Sequence, residues 1–337
     1  MQRSKSVNLR NFLSTALLLG VLVSCGRSGD SANSSESTTQ TASNSVPADL
    51  PVIAVTYSVI GDIVSQLVGD NATVNVVIPD GQDPHDFQPS AKDIETINNA
   101  ALVVSNGLEF EEGLEEVLEN IADAGGNIFM IGDHITVRKI EDGDGHDHGD
   151  GHDDGDSHSD EDSDKHGDKH AGGDPHIWLS PATMLEMLPA LTIALSEATG
   201  EDLSTQATAL TTKLQDLDGE VESTIGGLDE CNLVSGHDEM GYFADRYGCN
   251  VIGVIIPSFT TTSEATAGDL AKLKKEVEQY KVRAIFTGLG TSPDTANQLA
   301  KELGIKAVTL STHYLDGVAN YQEFILNLTN QIAEALS

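Results

Sequence analysis

Residues 52–68 read VIAVTYSVIGDIVSQLV, and this stretch decides the fold. Its first five residues are apolar or β-branched, which predicts a strand. In the remainder the apolar residues recur at helical spacing, as Val59, Ile63, Val64 and Leu67. A strand followed directly by a helix is the repeating unit of a parallel sheet that carries helices on its faces.

The same alternation continues along the chain. Further strands are predicted over 74–78, 102–104 and 128–131, with helices over 91–100 and 114–121. After residue 231 the pattern resumes, with strands over 233–235, 251–256, 284–287 and 307–310 and helices over 239–247, 264–279, 292–303 and 317–336. The sequence therefore predicts an α/β fold with two parallel-sheet lobes, over 49–140 and 229–337.

Residues 175–228 are strongly helical and separate the two lobes. Ser180 and Pro181 have the form of an N-cap followed by proline at the first helical position. Further along, apolar residues three, four or seven apart form one stripe: Leu203, Leu210, Leu214, Leu217, Val221 and Ile225. We predict a long, rigid linking helix and a ligand site in the cleft between the lobes, beyond the carboxyl ends of the strands.

The first 48 residues predict export and anchoring rather than a fold. Basic residues precede a short apolar run over 16–23, which indicates a signal peptide over 1–24 and is too short to cross a bilayer. The tetrapeptide Leu22-Val23-Ser24-Cys25 resembles a bacterial lipobox, which implies that Cys25 receives lipid. An ordinary signal peptide that happens to contain a cysteine is the alternative. Residues 25–48 are rich in Ser, Thr and Asn and predict a flexible tether.

The chain is strongly acidic. Its formal net charge is −36, and residues 141–174 carry 14 Asp and Glu against 2 Lys. Such a chain repels nucleic acid and anionic lipid and attracts cations. The 141–174 segment has no residues suited to a core and predicts a mobile loop.

Two cysteines, Cys231 and Cys249, each stand just before a predicted strand. In an oxidising exported compartment we expect them to form a disulfide. Two free buried thiols are the alternative.

Five histidines lie outside the acidic segment, and four of them follow one pattern. His85, His237 and His313 come shortly after predicted strands, at the end of the sheet that faces the cleft. His176 precedes a predicted helix, and like His85 it follows a proline that fixes the chain. Imidazole binds Zn²⁺ well, whereas Mg²⁺ and Ca²⁺ prefer oxygen. We therefore predict that these four residues form a site for a borderline metal such as Zn²⁺. Histidines that only line the rim of the cleft or form hydrogen bonds are the alternative. We interpret His134, which has no matching motif, as a surface residue.

Four motifs resemble those of the metal-specific solute-binding proteins of ABC importers, the cluster A-I family that takes up zinc and manganese. They are DPHDFQPS (83–90), NGLEFE (106–111), DPHIWLSP (174–181) and HDEMGYF (237–243), and the resemblance covers roughly residues 50–337. It implies two α/β lobes joined by one long helix, with the metal in the cleft on His85, His176 and His237. It also makes Glu111 a candidate near-site carboxylate.

The fourth ligand position departs from the family pattern. The family usually has Asp in a segment like Leu-Tyr-Ser-Asp-Ser-Leu, and alignment with residues 310–315 places that Asp on His313. A shift of one residue would instead place Ser311 or Thr312 there. Four imidazoles would favour Zn²⁺ over Mn²⁺, which prefers oxygen ligands. After the strand over 284–286 the family often has Glu, where this chain has Gly288.

The acidic segment holds six further histidines: His146, His148, His152, His158, His166 and His170. Their irregular spacing argues against a fixed tetrahedral site and suits a weak, multivalent ion collector beside the cleft. A solvated acidic linker is the alternative. The resemblance favours the collector, because zinc-type members commonly carry such loops and manganese-type members usually lack them.

The resemblance implies a monomeric, lipid-anchored binding protein, on the extracytoplasmic face of the bacterial membrane or in the periplasm, that captures Zn²⁺ and delivers it to an ABC permease. The alternatives are a manganese or iron member of the same family, a zinc-dependent hydrolase and an adhesion lipoprotein. The hydrolase is disfavoured because the chain has no His-Glu-x-x-His and no Gly-x-Ser-x-Gly motif. We do not expect an enzyme.

Overall fold

The computed structural model describes residues 50–139 and 173–337. The predicted signal peptide and tether, with Cys25, lie outside the described residues, and so do the six histidines of the acidic segment. Within the described ranges, none of the helices combines the length and apolarity that a membrane span requires.

The amino-terminal lobe is built on a four-stranded parallel sheet of order β2-β1-β3-β4. Its strands are β1 (Val52–Val55), β2 (Thr73–Val76), β3 (Leu102–Ser105) and β4 (Ile128–Met130), and its helices are α1 (Ser58–Val68), α2 (Ala91–Asn98) and α3 (Glu115–Asp123). Alternate side chains of β1 pack into different hydrophobic cores. Ile53 and Val55 lie in one core, and Ala54 lies in the other. The sheet is therefore covered on both faces, as the apolar runs predict.

Two helices connect the lobes. They are α4 (Pro181–Thr199), which Ser180 caps by accepting from the backbone N–H of Thr183, and α5 (Ser204–Ile225). Gly200 lies between them with a left-handed φ of 75°, a conformation that glycine adopts without strain. The 22 residues of α5 span about 33 Å, and its buried stripe packs against helices of both lobes. The predicted long linking helix corresponds to α5.

The carboxyl-terminal lobe contains two parallel strand pairs rather than one continuous hydrogen-bonded sheet. Its strands are β5 (Asn232–Ser235), β6 (Asn250–Val254), β7 (Ala284–Thr287) and β8 (Lys306–Thr309), and its helices are α6 (Gly241–Tyr247), α7 (Ala267–Gln279), α8 (Pro293–Leu303) and α9 (Tyr321–Leu336). The pairs are β5-β6 and β7-β8, and β5 lies beside β7. His237 follows the carboxyl end of β5, and His313 follows the carboxyl end of β8.

A disulfide ties the first strand pair at its amino end. Cys231 and Cys249 immediately precede β5 and β6, and their sulfurs are 2.01 Å apart. The bridge lies at the opposite end of the strands from His237, which follows β5.

Replacing both cysteines, Cys231→Ser with Cys249→Ser, is expected to lower the free energy of unfolding by about 3 kcal/mol, because the bond closes a loop of 18 residues in the unfolded chain. Urea denaturation of the metal-free protein measures the loss. Metal affinity should stay unchanged, because the bridge lies away from the histidines. An unaltered urea midpoint would contradict this account.

Candidate metal centre

Four histidines converge on one point between the lobes. His85 lies in the loop after β2, His176 precedes a short 3₁₀ turn (Ile177–Leu179), His237 follows β5 and His313 follows β8. Each offers a ring nitrogen, and these four nitrogens all lie within 4.8 Å of one another. All four side chains are buried, with 2 % or less of each residue exposed. The structure thus brings together the four residues singled out from the sequence.

The spacing of these nitrogens suits one tetrahedral ion. The Nε2 atoms of His176 and His237 are 3.0 Å apart. A tetrahedral zinc with bonds of about 2.0–2.1 Å would separate its nitrogen ligands by about 3.3 Å. Among the described residues, no hydrogen-bond partner reaches Nε2 of His85 or of His313. Buried polar atoms without partners are costly, and a shared cation would satisfy them.

Each imidazole turns its other nitrogen, Nδ1, toward a carboxylate. The Nδ1 atom of His176 lies 2.9 Å from Asp174 Oδ1, and that of His85 lies 3.9 Å from Glu112 Oε1. Nδ1 of His237 and Nδ1 of His313 both lie 3.9 Å from oxygens of Glu239. The contact between His176 and Asp174 is a hydrogen bond, and a carboxylate bound to Nδ1 fixes the tautomer that leaves Nε2 free for a metal. The other three carboxylate contacts are longer than hydrogen bonds.

Asp174 is the most tightly held of these carboxylates. It is fully buried, and its Oδ1 also accepts from the backbone N–H of His176 at 3.0 Å. Its Oδ2 faces the Arg138 guanidinium at 3.4 Å, and Arg138 pairs at 2.8 Å with Asp245 in α6. A β-carbon on Gly241 would lie 2.3 Å from Asp174 Oδ2, so only glycine permits this close approach. Sequence reasoning did not identify Arg138 or Gly241.

Glu111, the candidate near-site carboxylate, is buried and is not one of the carboxylates that face the histidine Nδ1 atoms. Its Oε1 accepts from the backbone N–H of Asn106 at 2.8 Å, and the Asn106 amide donates to the Pro175 carbonyl at 2.9 Å. Glu111 therefore braces the segment that carries His176. The carboxylate beside two of the histidines is Glu239. Its place within the motif HDEMGYF, two residues after His237, was the only signal available in the sequence.

Aromatic side chains pack around the four histidines. Phe110 lies edge-on to His85, with ring centroids 4.9 Å apart, and packs on Trp178 at 4.6 Å. The Trp178 indole donates to the backbone carbonyl of Thr312 at 2.6 Å, which joins the segment after His176 to the loop that carries His313. Bulk water is thereby kept from the imidazoles.

Burial keeps the imidazoles neutral. It lowers the pKa of His85 and of His176 to about 3, and it lowers the pKa of His237 and of His313 well below 6.5. Burial also raises the pKa of Asp174 to about 7 and the pKa of Glu239 to about 8. Neutral imidazole is the form that binds a metal, so the histidine set is ready for an ion at neutral pH.

The lowered histidine pKa values and the raised carboxyl pKa values make the free energy of unfolding change with pH in opposite directions. Between about pH 3 and pH 6.5 the unfolded chain binds more protons on these histidines than the folded chain, so their contribution to the free energy of unfolding falls as the pH is lowered. The buried carboxyls bind more protons when folded. Their contribution therefore falls as the pH is raised from about 4 to about 8.

Two α/β lobes with a closed histidine cluster between them define a metal-binding protein of the two-lobed class. The sequence model of the family described as zinc-uptake complex component A, periplasmic (ZnuA) matches residues 53–335, and the chain belongs to this family.

Curated relatives agree with this membership. The chain is 29% identical over 271 residues to the zinc-binding protein AdcA of Streptococcus pyogenes serotype M3, an alignment that covers 77% of this chain and 50% of AdcA. It is 27% identical over 277 residues to the high-affinity zinc uptake system protein ZnuA of Bacillus subtilis, with 80% of both chains covered. The chain thus spans about half the length of the AdcA proteins that it matches.

A solved structure shows the same fold. The periplasmic zinc-binding protein TroA from Treponema pallidum superposes with a TM-score of 0.71 at 22% identity, covering 86% of this chain and 99% of TroA. A cadmium-bound periplasmic metal-binding protein from Candidatus Liberibacter asiaticus superposes with a TM-score of 0.68 at 20% identity, covering 85% of this chain.

In the metal-free protein, the ring-proton chemical shifts of the four cleft histidines should remain those of neutral imidazole from about pH 8 to about pH 5. The reason is that burial depresses their pKa values. An NMR pH titration, with each signal assigned by its loss in a single His→Ala variant, measures this. A midpoint near 6.5 for any of the four would show that the residue is not buried as described.

Proposed function

We propose that this protein is the extracytoplasmic binding component of an ABC metal importer, and that it captures Zn²⁺ between its lobes for delivery to a membrane permease. The observation that carries the proposal is the set of four buried imidazoles, two presented by the segments around His85 and His176 and two by the loops after β5 and β8. Family membership and the zinc-binding relatives support it.

The donor set supports zinc as the cargo. Four neutral nitrogens suit a borderline ion such as Zn²⁺, while Mn²⁺, Mg²⁺ and Ca²⁺ favour oxygen ligands. The nearest carboxylates face the Nδ1 atoms, on the outer side of the imidazoles. They would offset the charge of the ion without binding it, which favours zinc over manganese.

A complete set of four protein ligands favours binding and transport of the ion over catalysis. A catalytic zinc keeps an open coordination position for water or substrate. Here four protein nitrogens would fill a tetrahedral shell, and the side chains that supply them are buried. Release would follow if the lobes part, because that movement withdraws two ligands at once from the ion.

The remaining parts of the proposal rest on the sequence. Lipid on Cys25 would hold the protein at the membrane, and the histidines of residues 141–174 would raise the local zinc concentration. Curated relatives include the zinc-binding lipoprotein AdcA of Streptococcus pneumoniae, 28% identical over 264 residues. We propose that the protein acts as a monomer with its permease.

The test removes one ligand at a time from the chain in which the six histidines of residues 141–174 outside the cluster, His146 to His170, are replaced by serine. His176→Ala and His237→Ala should each lower zinc affinity by more than about 100-fold, above the range typical of an outer-sphere partner. The cause is the loss of one of four nitrogen donors. Competition with a chromophoric chelator measures the affinity.

His134→Ala is the matched control. This histidine is exposed, stacks on Phe129 with ring centroids 4.3 Å apart, and lies outside the cluster. Its replacement should leave zinc affinity unchanged. If His176→Ala and His237→Ala behave like His134→Ala, the cleft histidines do not form the zinc site and the proposal fails.

A further inference from the structure

Glu239 stands between two of the four histidines. Its carboxyl is 1 % exposed, and its two oxygens each lie 3.9 Å from an Nδ1 atom, Oε1 from that of His237 and Oε2 from that of His313. Within the described residues neither Glu239 Oε2 nor His237 Nδ1 has a hydrogen-bond partner. At 3.9 Å both contacts are longer than hydrogen bonds, so each unpartnered atom lies beside a possible partner that it does not yet bind. This arrangement points to hydrogen bonds that form when the site is occupied.

A hydroxyl connects Glu239 to the second histidine. The Thr312 Oγ1 atom lies 2.8 Å from Nδ1 of His313, and the Thr312 hydroxyl also hydrogen-bonds to the Glu239 carboxyl. If Nδ1–H of His313 donates to Thr312, the hydroxyl proton is free to be donated to Glu239. This series of hydrogen bonds leaves Nε2 of His313 without a proton and directed at the metal centre.

Gly288 makes room for this arrangement. A β-carbon at this position would lie 2.7 Å from Thr312 Oγ1 and 3.9 Å from Glu239 Oε1. A side chain there would displace the hydroxyl, so the glycine and the Thr312–Glu239 contact depend on each other.

We propose that Glu239 is a shared positioning residue, which orients His237 directly and His313 through Thr312 so that both present Nε2 to one metal ion. The inference rests on the proposed zinc-binding function. On this proposal the carboxyl-terminal lobe is a preorganised half of the metal site, in which one carboxylate orients two nitrogen donors. On the other side, His85 and His176 each have a carboxylate of their own, Glu112 and Asp174.

The test compares Glu239→Gln with wild type, both in the chain that carries serine at the six histidines from His146 to His170. The amide keeps the size of the side chain but can accept from only one of its two partners, since its NH₂ group is a donor. Zinc affinity should fall about 10- to 100-fold. Co²⁺ bound to the variant should lose visible absorption, because tetrahedral Co²⁺ absorbs strongly and Co²⁺ with more ligands absorbs weakly.

Asp218→Asn is the control for a general loss of stability. Asp218 lies in α5, where it pairs with Arg246 and accepts from the Tyr247 hydroxyl at 3.0 Å, remote from the histidines. This variant should melt at a lower temperature yet keep zinc affinity and the Co²⁺ spectrum. Should it lose zinc affinity as much as Glu239→Gln does, Glu239 has only a structural role and the inference is overturned.

A double-mutant cycle separates positioning from bulk electrostatics. Thr312→Val removes the hydroxyl through which Glu239 acts on His313. Glu239→Gln should therefore lower zinc affinity less in the Thr312→Val background than in wild type, because the two changes break the same series of hydrogen bonds. Additive losses would contradict the connection from Glu239 through Thr312 to His313.

If wild type binds zinc tightly and Glu239→Gln matches it in affinity and spectrum, the inference fails while the proposed function stands. If wild type does not bind zinc tightly, it is the proposed function that fails.

Discussion

Four imidazoles buried at one point are the constraint on which the rest of the structure depends. Protonated histidines could not share this space, since burial lowers the pKa of each one, and repulsion from neighbouring histidines lowers the pKa of His85, His237 and His313 further. Each buried ring nitrogen of a neutral histidine that lacks a partner also costs free energy. The carboxylates of Asp174, Glu239 and Glu112 face the Nδ1 atoms, and a shared cation is the one partner that suits four Nε2 atoms together.

The fold provides this arrangement because parallel strands end at a common edge. His237 and His313 follow β5 and β8, while His85 follows β2 of the other lobe. Loops beyond such edges can approach one another without disturbing the sheets. Glycine permits two close approaches beside the histidines, at Gly241 next to Asp174 and at Gly288 next to Thr312, where a β-carbon would meet these side chains.

The elements and the histidine set were predictable from the sequence because each has a local signature. Strand and helix periodicity identified every strand to within about two residues, and the Asp-Pro-His motifs marked His85 and His176. The carboxylate of Glu239 and the guanidinium of Arg138 were not predictable, because their roles arise from contacts between segments far apart in the chain. The split of the carboxyl-terminal strands into two pairs likewise depends on packing that no local pattern records.

The most direct measurement is the zinc-edge X-ray absorption spectrum of the protein loaded with one equivalent of zinc, with serine at the six histidines from His146 to His170. We expect a single shell of about four nitrogens at about 2.0 Å, with the outer-shell scattering of imidazole rings. A six-coordinate oxygen shell, or a spectrum with fewer than three imidazoles, would contradict the claim that histidines of both lobes enclose the ion.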